Sequence, residues 1–178
     1  ISNGAYLWIQ YDSEVANCSW NIITGSANSF LTVATSLIND LIDNNVSGNS
    51  QFTIDTCEIV DCSGNTLSAY GYVFMDTVTL SGGFVGNNIY QGGQVSIGNS
   101  TITSINFNTL TELSKLTIAG TTIDSINYNN LSNFSEFDFD FTNNTVGSNI
   151  SYNTLSNRSF LSLNAATTHT FTELKENT

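Results

Sequence analysis

The sequence predicts an all-β solenoid, a right-handed parallel β-helix of about seven coils of roughly 21–22 residues each. Three observations carry that expectation. Two adjacent segments, VSIGNSTITSINFNTLTELSK at 95–115 and LTIAGTTIDSINYNNLSNFSE at 116–136, align without a gap over 21 residues. Their shared core, I-x-x-x-T-I-x-S-I-N-[FY]-N-x-L, alternates apolar and polar residues with the period of a strand. The chain also has no proline, 13 glycines, 40% hydrophobic content and a largely uncharged polar remainder of Asn, Ser and Thr. That mixture suits β-branched strands joined by Asn and Gly turns.

Each coil can be written from an anchor residue i, with apolar residues at i−2, i, i+5 and i+8 and a small residue at i+3. Projected along the chain, the anchors fall at Val33, Ile54, Leu80, Ile97, Ile118, Phe141 and Leu163. In the third coil this places Val78 and Leu80 on the first strand, followed by Val85 and Ile89. In the sixth it places Phe139 and Phe141 there, followed by Val146 and Ile150. Strand alternation turns i−2 and i inward and i−1 outward. The outward positions then form a mostly hydroxyl ladder, Thr32, Thr53, Thr79, Ser96, Thr117, Asp140 and Ser162. Small residues at the bend are Ser36, Cys57, Gly83, Ser100, Thr121, Asn144 and Ala166. A single coil cannot bury its own apolar side, so coils must stack into one continuous core.

Residues 1–29 fit the ruler poorly, hold both Trp8 and Trp20, and are expected to form an N-terminal cap or interaction segment. The solenoid is expected over 30–172, with 173–178 as a C-terminal tail. The competing fold is a leucine-rich-repeat solenoid, because LSKLTIAGTTI at 113–123 imitates that motif with Thr121 in the asparagine position. The mixed residues at the corresponding place in other coils favour the β-helix.

The segments FTIDTCEIVDCSGNT at 52–66 and FTNNTVGSNISYNTLSN at 141–157 resemble coils of pectin-lyase-like right-handed parallel β-helices. They are most similar to the surface-protein type repeats of that superfamily, and the resemblance spans roughly 30–172. It implies the fold. The enzymes of the family work through clustered acidic residues with a basic partner, and no such set can be matched here, so no catalytic residue is carried over.

Charge narrows the partners. With three basic residues (Lys115, Arg158, Lys175) against fifteen acidic ones, the net charge of −12 repels nucleic acid and anionic membrane. No apolar run approaches the ~18–20 residues that span a bilayer, so membrane insertion is not expected. The chain opens at Ile1 and reads as a processed or excised piece. Cys18, Cys57 and Cys62 have no zinc spacing and read as small buried residues, with one disulfide allowed. His169, the single histidine, lies in TTHTF and reads as a solvated side chain rather than a general base. Asp138 and Asp140 in FDFDF share an outward face opposite phenylalanines and read as a solvated pair. No nucleophile elbow, phosphate loop or dinucleotide fingerprint occurs. The chain is therefore expected to be no enzyme and to need no cofactor or metal.

Eight N-x-[S/T] sequons, at Asn17, Asn45, Asn99, Asn130, Asn133, Asn143, Asn149 and Asn157, are the glycosylation candidates. In a chain this rich in Asn, Ser and Thr their number is close to chance, so it permits glycosylation without demanding it. The expected function is a non-catalytic extracellular or cell-surface structural and adhesive module, a glycosylated filament subunit stacking end to end. Its partners would be further copies or a larger parent chain, and glycans. The alternative is a carbohydrate-binding or carbohydrate-processing β-helix fragment that uses Tyr70, Tyr72 and Tyr90.

Overall fold

A strand that buries every second residue needs a second apolar layer to bury it against. In this chain that layer is supplied by its own neighbouring coils. The computed structural model describes residues 1–2, 4–25, 28–140, 145–164 and 173–175, which wind as a parallel β-solenoid of about seven coils. Three strand faces enclose the core. The first face stacks Gln51–Asp55, Tyr72–Asp76, Gln94–Gly98, Lys115–Ala119, Glu136–Asp140 and Phe160–Asn164. The second stacks Glu58–Ser63, the pair Thr79–Leu80 and Phe84–Val85, then Thr101–Asn106, Thr122–Asn127, Thr145–Ser151 and Glu173–Lys175. The third stacks Ile22–Ile23, Asn45–Ser47, Thr66–Ser68, Asn88–Ile89, Thr109–Leu110, Asn130–Leu131 and Thr154–Leu155. The long strand Phe30–Asp40 contributes to the first two faces at once. Tyr6–Asn17 lies parallel beside it along both.

The described residues contain no helix. A leucine-rich repeat needs a helical or 3₁₀ segment in each unit to cover its strand, so that alternative does not hold.

Five inward side chains per coil fill the interior. In the fourth coil they are Val95 and Ile97 from the first face, Ile102 and Ile105 from the second, and Leu110 from the third, all buried. In the next they are Leu116, Ile118, Ile123, Ile126 and Leu131, likewise buried. The backbone pairs in register along this repeat, Val95 with Leu116 and Ile102 with Ile123.

Two coils are phased differently from the sequence ruler. In the third coil the first-face strand is Tyr72–Asp76, with Val73 and Met75 inward, in register with Phe52 and Ile54. Leu80 belongs to the second face, opposite Ile59 and Ile102. The bend residue of this coil is therefore Val78 rather than Gly83, and the outward position is Phe74 rather than Thr79. Both VFM and VTL satisfy apolar–polar alternation, and the glycine pair at 82–83 adds a residue before Phe84, so alternation alone could not set the phase. In the sixth coil Phe137 and Phe139 face inward, in register with Leu116 and Ile118, and the outward residue is Asp138. Phe141, Asn144 and Ala166 lie outside the described residues.

The coils are bound together by a column of asparagines, Asn21, Asn44, Asn65, Asn87, Asn108, Asn129 and Asn153, buried in all but the half-buried first. The residue before each one is left-handed in backbone conformation, with φ between 55° and 65°. That bend carries the chain from the second face to the third. From Asn21 to Asn129 each asparagine passes two hydrogen bonds to the next coil, from its backbone N–H and its Nδ2 to the following Oδ1. For Asn65 these are 2.9 and 3.0 Å to Asn87, and for Asn108 both are 3.0 Å to Asn129. The remaining Nδ2 hydrogen goes back one coil, from Asn65 to Leu41 O at 2.8 Å and from Asn108 to Phe84 O at 2.8 Å. Asn44, Asn87, Asn108, Asn129 and Asn153 are essentially sealed from solvent.

A buried polar group left without a partner costs about 1–3 kcal/mol. Asn108→Ala orphans three groups of the preceding coil, Phe84 O and the N–H and Nδ2 of Asn87, and is expected to cost ~3–5 kcal/mol. The exposed neighbour Asn130, changed to Ala, is expected to stay within about 0.5 kcal/mol. Paired denaturant melts measure both; a ladder variant as stable as the surface one would show that the column is not a stabilising element.

Candidate functional surfaces

Among the described residues the core is tightly filled. A void of about 10 Å³ between Phe52, Met75, Phe84 and neighbours is at the lower limit for one water. On the outside, the corners between faces display side chains in columns about 4.8 Å apart.

The first column stands at the bend before each ladder asparagine: Trp20, Asp43, Gly64, Gly86, Phe107, Tyr128 and Tyr152. The left-handed backbone projects these side chains outward. Phe107 stacks on Tyr128 at 5.0 Å between ring centroids, and Tyr128 on Tyr152 at 4.9 Å, with the ring planes 4° apart in both pairs. The repeat itself contains the signal for this stack, since the aromatic residue of I-N-[FY]-N-x-L precedes the ladder asparagine.

A second column runs along the corner between the third and first faces, where two successive residues per coil have positive φ: Ala69 and Tyr70, Gln91 and Gly92, Glu112 and Leu113, Asn133 and Phe134, Asn157 and Arg158. Bulky side chains rarely adopt this conformation. Here they leave Tyr70 and Leu113 about two-thirds exposed. Between them runs a groove of about 480 Å³ bounded by Tyr70, Gln91, Gly92, Glu112, Leu113 and Phe134. The guanidinium of Arg158 sits 5.7 Å from the centre of the Phe134 ring. Inside this corner stand Ser50, Gly71, Gly93, Ser114, Ser135 and Ser159 in successive coils, and at Gly71 a Cβ would lie 2.1 Å from Val46 O.

The residues singled out from sequence do not gather at one place. Six sequon asparagines can be placed by side chain, and all six (Asn17, Asn45, Asn99, Asn130, Asn133 and Asn157) are exposed. The ladder asparagines, by contrast, belong to no sequon. Asn143 lies outside the described residues, as does His169, and Asn149 is described only as backbone in the strand Thr145–Ser151. Tyr70 borders the groove, whereas Tyr72 lies on the first face, stacked with Phe74 at 6.4 Å. Asp138 and Asp140 share the outward side of Glu136–Asp140. Lys115 bridges Glu136 at 3.2 Å and Asp138 at 3.6 Å. The pair is partly exposed, so this contact contributes little stability.

At one end of the solenoid the twelve-residue strand Tyr6–Asn17 has one neighbour among the described strands, leaving a long backbone edge. Apolar side chains crowd that end. Tyr6, Leu7, Trp8, Trp20 and Ile22 are all exposed, with Tyr6 and Trp8 in edge contact at 6.1 Å. The ladder ends there too. Among the described residues nothing donates to Asn21 Oδ1, although the same atom of Asn44 receives 3.0 and 2.9 Å bonds.

All three cysteines are free and buried thiols. Cys18 Sγ accepts from Asn21 Nδ2 at 3.7 Å, and Cys62 Sγ from Asn65 Nδ2 at 3.9 Å. Burial pushes the Cys18 thiol up from 9.0 to about 11. Cys62 is pushed up further, by burial and then by the Asp61 carboxylate. A thiol whose pKa is higher folded than unfolded favours the native state fully below pH 9, and that contribution fades as pH rises through the folded pKa. The melting temperature is therefore expected to fall between pH 9 and 11. A Cys18→Ala, Cys62→Val double variant should fall less steeply, and equal slopes for the two proteins would refute the linkage.

Comparison of the chain with protein-family models, with curated proteins and with solved structures gives no match.

Proposed function

We propose that this chain is a non-catalytic structural module of a secreted or surface-exposed protein, joined end to end with further solenoid coils. The observation that supports this reading is the open end at Tyr6–Asn17. An unpaired strand edge is a template for another strand, and here it is bordered by exposed Tyr6, Leu7 and Trp8. Asn21 Oδ1 has no donor among the described residues, where one more asparagine-bearing coil would supply two, as Asn21 does for Asn44. Such a coil comes from a parent chain or from a second copy, whose head-to-tail contact would propagate a filament. The resemblance of 52–66 and 141–157 to surface-protein repeats points the same way, and the exposed sequons suit a glycan-coated rod.

Two measurements test the reading. Sedimentation of the purified chain across a hundredfold concentration range should show association, and Leu7→Lys should return it to monomer by placing a charge on the edge. A chain that stays monomeric at the highest concentration overturns end-to-end stacking. Intact mass of the natively produced protein should exceed 19.2 kDa by heterogeneous increments, whereas a bare mass removes the glycan component.

A further inference from the structure

The stacked aromatic column stops at Phe107, although the corner it stands on continues. The next position is Gly86, where an added Cβ would meet no described atom within 4 Å. One coil further, at Gly64, the space is taken by the carboxylate of Asp43, whose Oδ1 would lie 2.3 Å from a Cβ built there. Phe107 itself is 59% exposed. One face of its ring packs on Tyr128, and the other looks across Gly86 toward the Asp43 carboxylate. Gly64 and Phe107 are two coil steps apart, about 9.6 Å at ~4.8 Å per step. A single planar group at the level of Gly86 would continue the stack at the 5.0 Å spacing the column already shows.

We propose that this notch is a binding site for a planar cation, the guanidinium of an arginine side chain presented by a partner. Three observations choose that occupant. The ring face offers the negative side of an aromatic quadrupole, which attracts cations. The opposite wall is an exposed carboxylate, which pairs with guanidinium through charge-assisted hydrogen bonds. The chain carries a net charge of −12 with three basic residues, so its surroundings favour a positive ligand. The chain also uses the same chemistry internally, where Arg158 lies over exposed Phe134 at the neighbouring corner. The site is independent of end-to-end association, because it sits on a side corner between coils and not at an open edge.

The test is titration of the full chain with N-acetyl-arginine amide at fixed ionic strength, followed by NMR at the Gly86 amide and the Phe107 and Tyr128 ring protons. Saturable shifts confined to this corner are expected. N-acetyl-citrulline amide, the neutral isostere, should produce none, and the lysine analogue should bind about fivefold more weakly because it cannot stack as a plane. Asp43→Asn should weaken arginine binding about fivefold or more. Gly86→Phe should abolish it by filling the notch. That variant is expected to fold, since Phe107, Tyr128 and Tyr152 hold the equivalent position at φ 56° to 58°. Preserved stacking shifts at Tyr128 in Gly86→Phe would confirm that it has folded. Linear shifts with no saturation, or binding unchanged in both variants, overturns the proposal.

Discussion

Where the chain leaves the second face of each coil, the carbonyl of its last inward residue turns away from the strand plane and loses its place in the ladder. Leu41, Cys62, Phe84, Ile105 and Ile126 all present such a carbonyl, and all are buried. An asparagine one coil further on satisfies it with one Nδ2 hydrogen, and from Asn65 to Asn129 hands the other to the following coil. No other neutral side chain supplies both donors and an acceptor at that length, apart from the longer glutamine. The bend, the left-handed residue before it and the stacking distance between coils all follow from keeping these amides paired in a dry interior.

This column also explains how length is shared out along the chain. From each ladder asparagine to the inward first-face residue of the next coil the count is ten residues for Val33's successors: Asn44 to Ile54, Asn65 to Met75, Asn108 to Ile118, Asn129 to Phe139. That stretch passes the corner where Ser and Gly are packed against carbonyls; it is twelve residues long from Asn21 to Val33 and ten from Asn44 onward. The stretch from the first face to the asparagine varies as well, from eleven residues between Ile54 and Asn65 to twelve between Met75 and Asn87, where the glycine pair at 82–83 is absorbed, and fourteen between Phe139 and Asn153.

A rigid pitch turns single outward residues into columns. Phe107, Tyr128 and Tyr152 stack because three successive coils present aromatic rings from the same bend at one spacing, and the notch at Gly86 exists because the third coil, next in the column, presents no side chain there. The corner groove beside Tyr70 and Leu113 arises in the same way. The surface chemistry of this molecule is thus a set of parallel stripes read along the axis, each tuned by one residue per coil. The edge at Tyr6–Asn17 ends the first two faces, while on the third face Ser2 bridges Thr24 beyond Ile22–Ile23.

The all-β solenoid, its coil length and the identity of most inward residues were legible in the residues themselves, since a period of two inside a period of about 21 has few other physical meanings. The asparagine column was not read from the sequence, although N-x-[ILV] recurs at 21, 44, 65, 87, 108, 129 and 153; the same pattern at 39 and 144 obscures its period. What local sequence could not decide was which of two alternating segments, 73–75 or 78–80, belongs to the first face. Both bury well as strands, and only the match of each to the coils above and below separates them. The same holds for the aromatic stack, the groove and the free edge. Their side chains are twenty or more residues apart in the chain, and only the stacking of coils brings them within reach of one another.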